Sequence, residues 1–370
     1  MSKNLLFIIG TRPELIKVFP IIHHLQQINY QHLKVVSTGQ HKELLEPYLK
    51  AFNIKPDYNL DIIKKGQSLA SLTIRAIQRI DELITEILEE EKIDVIFAQG
   101  DTTTVMASSM VAFYRGIEFA HIEAGLRSHD LQNPFPEEYN RKVAGLVTNY
   151  HFAPTEIAKQ NLLSEDIAAS SIHVVGNTVI DTLKYFINSG TLADYSFVDE
   201  ALKGLELRNN AVLITCHRRE NHASLDHLID AIDELSKANE DLVFIWPVHP
   251  NPMVKEKVLT SRLSAASNVI ITEPIEYLDV LKVLSHSVKV ISDSGGIQEE
   301  APTFEVPVLI LREKTERPEA VNAGFSKLVG MNTNLILEAF NQFSPQLSGI
   351  ENPYGDGKSS KRIIDIVLSE

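Results

Sequence analysis

The chain has 370 residues, 44% of them hydrophobic, and a formal net charge of −14 at neutral pH. That length and apolar content exceed what one domain usually holds, and the acidic balance excludes a surface that tracks nucleic-acid phosphates, so an anionic ligand needs a local cluster of Arg, Lys and His. The single cysteine, Cys216, excludes an intramolecular disulfide, and no apolar run approaches the ~20 residues of a membrane span, so a cytoplasmic protein is expected.

Short β-rich runs alternate with helical patterns throughout, which predicts parallel sheets in doubly wound α/β layers. A first strand over 5–9 runs into Gly10-Thr11-Arg12-Pro13-Glu14. Pro13 suits a first helical turn, and Arg12 and Lys17 can face the same anion. After a strand at 33–37, the segment 69–91 spaces Leu69, Leu72, Ala76, Ile80, Leu83, Ile84 and Ile87 as one face of a helix. The strand at 95–98 leads to Gln99-Gly100-Asp101-Thr102-Thr103-Thr104, where Asp101 taken alone reads as a helix N-cap.

Glu123 directly ends the strand at 118–122, and a carboxylate there needs a partner, which Arg127 can supply. Past Asn133-Pro134-Phe135-Pro136 a helix is predicted to begin. Its first turn carries Glu137 and Glu138, as helix N-termini favour, and its second carries Arg141. A strand at 150–153 completes this half, and the polar stretch 164–171 before the strand at 173–175 marks a boundary.

The second half repeats the scheme, with strands at 212–215, 243–246, 269–271, 288–291 and 308–311. His217-Arg218-Arg219-Glu220-Asn221 follows the first of these, and His249 follows the second in Pro247-Val248-His249-Pro250-Asn251. Asp293-Ser294-Gly295-Gly296 follows the fourth and opens a helix predicted over 295–304. Two glycines let a phosphate approach the backbone, the helix start offers N–H donors, and Glu300 one turn on can take a ribose diol. A nucleoside diphosphate is the ligand this arrangement favours. Arg317 lies past the last strand in Thr315-Glu316-Arg317-Pro318-Glu319, and the tail 358–369 reads as an amphipathic helix that can pack on either half. His-Glu-x-x-His, a Walker A lysine loop and a Gly-x-Gly-x-x-Gly turn are all missing, so no metal or dinucleotide cofactor is expected.

With these residues assembled, the chain resembles the non-hydrolysing UDP-N-acetylglucosamine 2-epimerases of bacteria. The matching stretches run in order from Gly10 to Gly357: GTRPE with Lys17, TGQH, GDTTT, HIEAGLRS, NPFPEEYNR, FAPTE, GNTVIDTL, HRREN, PVHPNP, SDSGGIQEEAP, TERPEA and NPYGDG. The resemblance implies two Rossmann-like domains with parallel sheets in a GT-B-like arrangement around a central cleft. Residues 1–172 would form the N-terminal domain and 173–355 the UDP-binding domain, with a C-terminal helix at 356–370 returning to the first. It further implies a cytoplasmic homodimer that supplies ManNAc-type sugars for cell-surface polysaccharide.

The implied reaction is reversible conversion of UDP-GlcNAc to UDP-ManNAc, by anti-elimination of UDP to 2-acetamidoglucal and syn re-addition, with no cofactor. Such chemistry needs a base and an acid at C2 and fixed cationic partners for the departing diphosphate. By motif position, Asp101, Glu123 and Glu137 are the acid/base carboxylates, with the C2 base unassigned among them, and His217 helps at the leaving diphosphate. Ser294, Gly295 and Gly296 would hold phosphate and Glu300 the ribose, with Arg12, Lys17, Arg141, His249 and Arg317 lining the remainder. A second UDP-GlcNAc bound as activator would use Gln40, His41 and Arg218. The chain departs from the family pattern at Ile275 and Val280, where Gln and Phe are common near uracil. His222-Ala223-Ser224 replaces a glycine-containing loop, and Gly66 stands where several regulated members have Arg. The rivals are a hydrolysing epimerase that releases free ManNAc, an epimerase of a modified UDP-sugar, a GT-B glycosyltransferase and a silent binder.

Overall fold

The structure, a computed structural model, describes residues 2–40, 42–64 and 66–369, apart from the side chains of 42–44 and 219. The chain forms two units: residues up to Thr182 together with the stretch from Tyr354 onward, and Leu183–Pro353.

In the first unit the strands are β1 (Leu5–Ile9), β2 (Leu33–Ser37), β3 (Tyr58–Asn59), β4 (Val95–Gln99), β5 (Glu118–Ile122), β6 (Tyr150–Ala153) and β7 (Ile172–Val174). Among the described residues they make one parallel sheet in the order β3-β2-β1-β4-β5-β6-β7. Every residue of β1 and β4 is buried, as strands covered by helices on both faces must be. Phe7 and Phe97 are register neighbours, and their rings stack with centroids 4.5 Å apart. The helix Leu69–Glu90 turns Leu72, Ala76, Ile80, Leu83, Ile84 and Ile87 inward, while Leu69, at its first turn, stays exposed.

The second unit has β8 (Ala211–Thr215), β9 (Val243–Pro247), β10 (Val269–Thr272), β11 (Ser287–Ser292), β12 (Val308–Ile310) and β13 (Ser326–Leu328). These are again parallel, in the order β10-β9-β8-β11-β12-β13. Strand order reverses beside β1 and β4 in the first sheet and beside β8 and β11 in the second. At such switch points the outgoing connections part and leave a crevice at the C-terminal strand ends. The loops that carry Arg12, Asp101, His217 and Ser294 all leave from these four strands.

The α/β class with two Rossmann-like parallel-sheet units is the one expected. Two short strands, β3 and β13, were not anticipated; they have two and three residues and no apolar run to announce them. The chain divides after Thr182, where the sequence reading set the boundary at 172/173. β7 pairs with β6 and therefore stays with the first sheet. The helix expected over 295–304 is α-helical at Gly295–Glu300 and then tightens to a 3₁₀ turn, Ala301–Phe304. Pro302 lacks the N–H that would continue the α ladder. The terminal helix Ser359–Ser369 belongs to the first unit, where the Asp181 carboxylate accepts from the N–H groups of Ser359 (3.2 Å) and Ser360 (2.8 Å). No helix among the described residues is long and apolar enough to cross a membrane.

Candidate active site

In the first unit, β1 runs into Gly10, where two threonine hydroxyls crowd the place of a side chain. A β-carbon on Gly10 would lie 2.9 Å from the Thr38 hydroxyl and nearer still to that of Thr104. Glu14, buried in the first turn of the helix Arg12–Gln27, accepts from the Gly10 N–H (2.6 Å), the Thr11 hydroxyl (2.9 Å) and Thr102. Burial pushes its pKa up to about 7, against those hydrogen bonds and with help from the charge of Asp101. Beside this turn is a pocket of about 460 Å³, whose lining includes Arg12, Gln40, Leu69, Asp101, Glu137 and Asn140.

Asp101 is not the N-cap that its position favoured. Thr102 takes that place and accepts from the Val105 N–H at 3.4 Å. The carboxylate of Asp101 instead accepts from Arg141 Nη2 (2.6 Å) and Nε (3.0 Å), and Asn140 Nδ2 donates to its carbonyl (2.8 Å). Arg141 also meets Glu138 at 3.2 Å; that buried carboxylate accepts from the N–H groups of Ser128 and His129. The first-turn acids therefore divide: Glu137 lines the pocket, and Glu138 braces Arg141.

Glu123 ends β5 with φ 68°, a left-handed conformation that costs a side-chain-bearing residue about 1–3 kcal/mol. Its carboxylate lies 2.6 Å from Lys17 Nζ and accepts from Gln99 Nε2. The expected Glu123–Arg127 pair does not form, because Arg127 is taken by Glu165 at 2.7 Å. Lys17 is ion-paired with Glu123, and the Arg12 guanidinium stands 5.6 Å from the Tyr48 ring centroid. His121 holds the turn behind Asp101, with Nε2 2.7 Å from the Gly100 carbonyl. Burial lowers its pKa to about 4, so this imidazole is neutral and donates there.

In the second unit, Asp293 is fully buried below the loop after β8. It accepts from the N–H groups of His217 and Arg218 and from Asn221 Nδ2, all at 2.9–3.1 Å. Burial alone would raise its pKa; His217 and these donors outweigh that and hold it at about 2. Ser294 caps the helix Gly295–Glu300 through the Ile297 N–H, and Glu300 accepts from the Tyr277 hydroxyl at 2.9 Å. Arg317 meets Glu299 at 2.6 Å and Glu316 at 2.8 Å. Arg218, expected as an effector residue, binds the Asp293 carbonyl (3.1 Å) and Glu316 (3.2 Å). Gln40, its expected partner in that role, accepts from the Thr104 hydroxyl at 3.0 Å, and His41 lies outside the described residues.

His249 accepts from the Asn251 N–H at 3.2 Å within its own turn, and its ring lies 5.9 Å from that of His222, to which the sequence reading gave no role. Ile275 and Val280, at the positions that depart from the family pattern, pack into the apolar core of the second unit. Among the described residues no cluster of His, Cys, Asp or Glu is placed to hold a metal ion. Glu14, Glu138, His121, Asp293 and Glu316 were not foreseen as site residues. For Glu14, His121, Glu138 and Asp293 the signal is a polar side chain at or just beyond the end of a buried strand, or in the first turn of a helix; Glu316, six residues past β12, carries no such signal.

The family model described as UDP-N-acetylglucosamine 2-epimerase matches residues 23–368. A relative from Neisseria meningitidis serogroup A, named UDP-N-acetylglucosamine 2-epimerase, is 44% identical, with 99% of each chain covered. The crystal structure of the Neisseria meningitidis UDP-GlcNAc 2-epimerase bound to UDP-GlcNAc superimposes with TM-score 0.88 at 43% identity, covering 99% of this chain and 100% of that one. The Methanocaldococcus jannaschii UDP-GlcNAc 2-epimerase, in complex with UDP-GlcNAc and UDP, gives TM-score 0.82 at 34% identity, with 99% of each chain covered.

Proposed function

The chain belongs to the UDP-N-acetylglucosamine 2-epimerase family, and on that premise we propose that it interconverts UDP-GlcNAc and UDP-ManNAc without releasing the sugar. A carboxylate takes the C2 proton, the C–H electron pair becomes the C1–C2 double bond, and the C1–O bond breaks with its pair going to UDP. The intermediate, 2-acetamidoglucal, then accepts a proton at C2 on the opposite face as a UDP oxygen returns to C1. What carries the reading is the placing of three carboxylates. Asp101 and Glu137 line one pocket, and Asp101 and Glu123 are ion-paired to Arg141 and Lys17.

Proton removal and return at carbon call for such groups, and His217 on Asp293 together with Arg317 supplies donors for the UDP that departs. The product would serve a cell-surface polysaccharide pathway, and a second UDP-GlcNAc would act as activator. Incubation with UDP-GlcNAc tests the reaction. UDP-ManNAc as the product, with the sugar still linked, supports it, whereas free ManNAc with UDP identifies a hydrolysing enzyme. Strictly hyperbolic kinetics, with no dependence of the reverse reaction on UDP-GlcNAc, would remove the activator.

A further inference from the structure

Where β11 meets the helix Gly295–Glu300, one carboxylate meets three guanidiniums. Glu316 Oε1 lies 2.8 Å from Arg317 Nη1 and 3.2 Å from Arg218 Nη2, and Oε2 lies 2.6 Å from Arg312 Nη1. Its side chain is 4% exposed. Burial would raise its pKa, yet the charges of Arg317, Arg312 and Arg218 hold it well below the usual carboxylate range. Arg317 is fixed from a second side by Glu299, whose Oε1 is 2.6 Å from Nε.

The arginine also accounts for a glycine. A β-carbon on Gly295 would sit 2.5 Å from Arg317 Nη1 and 2.6 Å from Cζ, whereas one on Gly296 would meet nothing nearer than Ser294 Oγ at 3.8 Å. The two glycines of the turn thus do different jobs. Gly295 makes room for a guanidinium, and Gly296 leaves its backbone open to a ligand.

We propose that Glu316 is a positioning residue for the diphosphate of the substrate, holding Arg218, Arg312 and Arg317 in fixed orientation beside the Ser294-Gly295-Gly296 turn, with Gly295 as the seat of Arg317. This rests on the reading of the chain as an enzyme of UDP-sugars. A guanidinium is a planar fork that serves phosphate best when its direction is set beforehand. Ordering it in the folded protein removes a cost that binding would otherwise bear. Glu316 is itself negative, so its charge alone would weaken the binding of an anion. Position and charge pull in opposite directions, and the sign of the effect separates them.

The test is Glu316→Gln, with UDP binding followed by calorimetry and the kinetics by UDP-GlcNAc turnover. Positioning predicts UDP binding weaker by at least about tenfold and a raised KM, with kcat lowered by less than KM is raised. Unchanged or tighter UDP binding overturns the proposal. Should that variant fail to fold, Gly295→Ala is the alternative, since its nearest obstacle is the Arg317 side chain and not backbone. It should weaken UDP binding in the wild-type background and have no further effect on Arg317→Ala; additive losses overturn the assignment of the seat. A wild-type protein that binds no UDP refutes the UDP-sugar reading beneath the proposal, an outcome distinct from any change between variants.

Discussion

Asp293 Oδ1 and His217 Nδ1 lie 2.9 Å apart, with the carboxylate fully buried and the imidazole 47% exposed. Asp293 is itself immobilised by the backbone N–H groups of His217 and Arg218 and by Asn221, so it orients the ring from a rigid base. Holding Nδ1–H in this way leaves Nε2 as the nitrogen that meets a ligand.

Asp293→Asn should therefore act through His217. Turnover should fall by a general acid–base factor, about 10²–10⁴. Once His217→Asn is present, adding Asp293→Asn should cost little more, as expected of coupled groups. Steady-state rates for the two single variants and the double variant check this, and independent, multiplying losses would count against the pairing. The stability sign is also defined. The Asp293 pKa is depressed from 3.8 to about 2, so its contribution is present above about pH 3.8 and is lost as pH falls through about 2.

Glu14 should behave in the opposite sense. Its pKa rises from 4.5 to about 7, a shift worth about 3 kcal/mol at 1.36 kcal/mol per unit. A raised acid contributes stability in full below about pH 4.5 and loses it as pH climbs through about 7. Glu14→Gln cannot ionise and should be free of that loss. Urea unfolding of both proteins at pH 5 and pH 8 should show the variant gaining on the wild type at the higher pH. A gap that stays constant across the range would mean that Glu14 keeps an ordinary pKa.

The alternation of strands and helices was legible because parallel strands buried on both faces are continuous apolar runs, as at Leu5–Ile9 and Ala211–Thr215. The loops with unusual chemistry were legible too, since Arg12, Asp101, Glu123, His217 and Ser294 all stand at strand ends. Pairing was not. Glu123 takes Lys17, 106 residues away, in preference to Arg127 four residues on, because β1 and β5 flank β4 in the sheet while Arg127 turns to Glu165. Local spacing cannot report such choices. The role of Glu316 was hidden for the same reason: its three arginines come from two loops, and only folding gathers them.

The exposed apolar side chains on the helices Thr103–Arg115 and Glu137–Val147 should be covered by a second copy of this chain. These two helices pack together, and Phe113 is 62%, Tyr114 69% and Leu146 77% exposed. Exposed apolar side chains of this size on neighbouring helices suit an interface between copies. Leu146→Glu should shift the mass seen by light scattering from that of a dimer to the 41.4 kDa of one chain, with the fold retained. A wild-type protein that already elutes at that mass would exclude the assignment.

Solvent exchange at C2 offers the most direct reading of the proposed chemistry. Elimination puts the C2 proton on a carboxyl group, which exchanges with water far faster than an enzyme turns over. In D2O, UDP-GlcNAc recovered before equilibrium should therefore acquire deuterium at C2, visible by NMR as loss of that proton signal. Asp101→Asn, Glu123→Gln and Glu137→Gln should each slow epimerisation by about 10²–10⁴. The variant that lacks the base should lose exchange from UDP-GlcNAc together with turnover. A variant that lacks only the acid for the second face should still exchange, because the substrate's own base remains. Asp101 and Glu137 share a pocket wall while Glu123 sits on Lys17, so the two proton-transfer roles should fall on groups from these two places. Epimerisation with complete retention of protium would rule out elimination through any of the three.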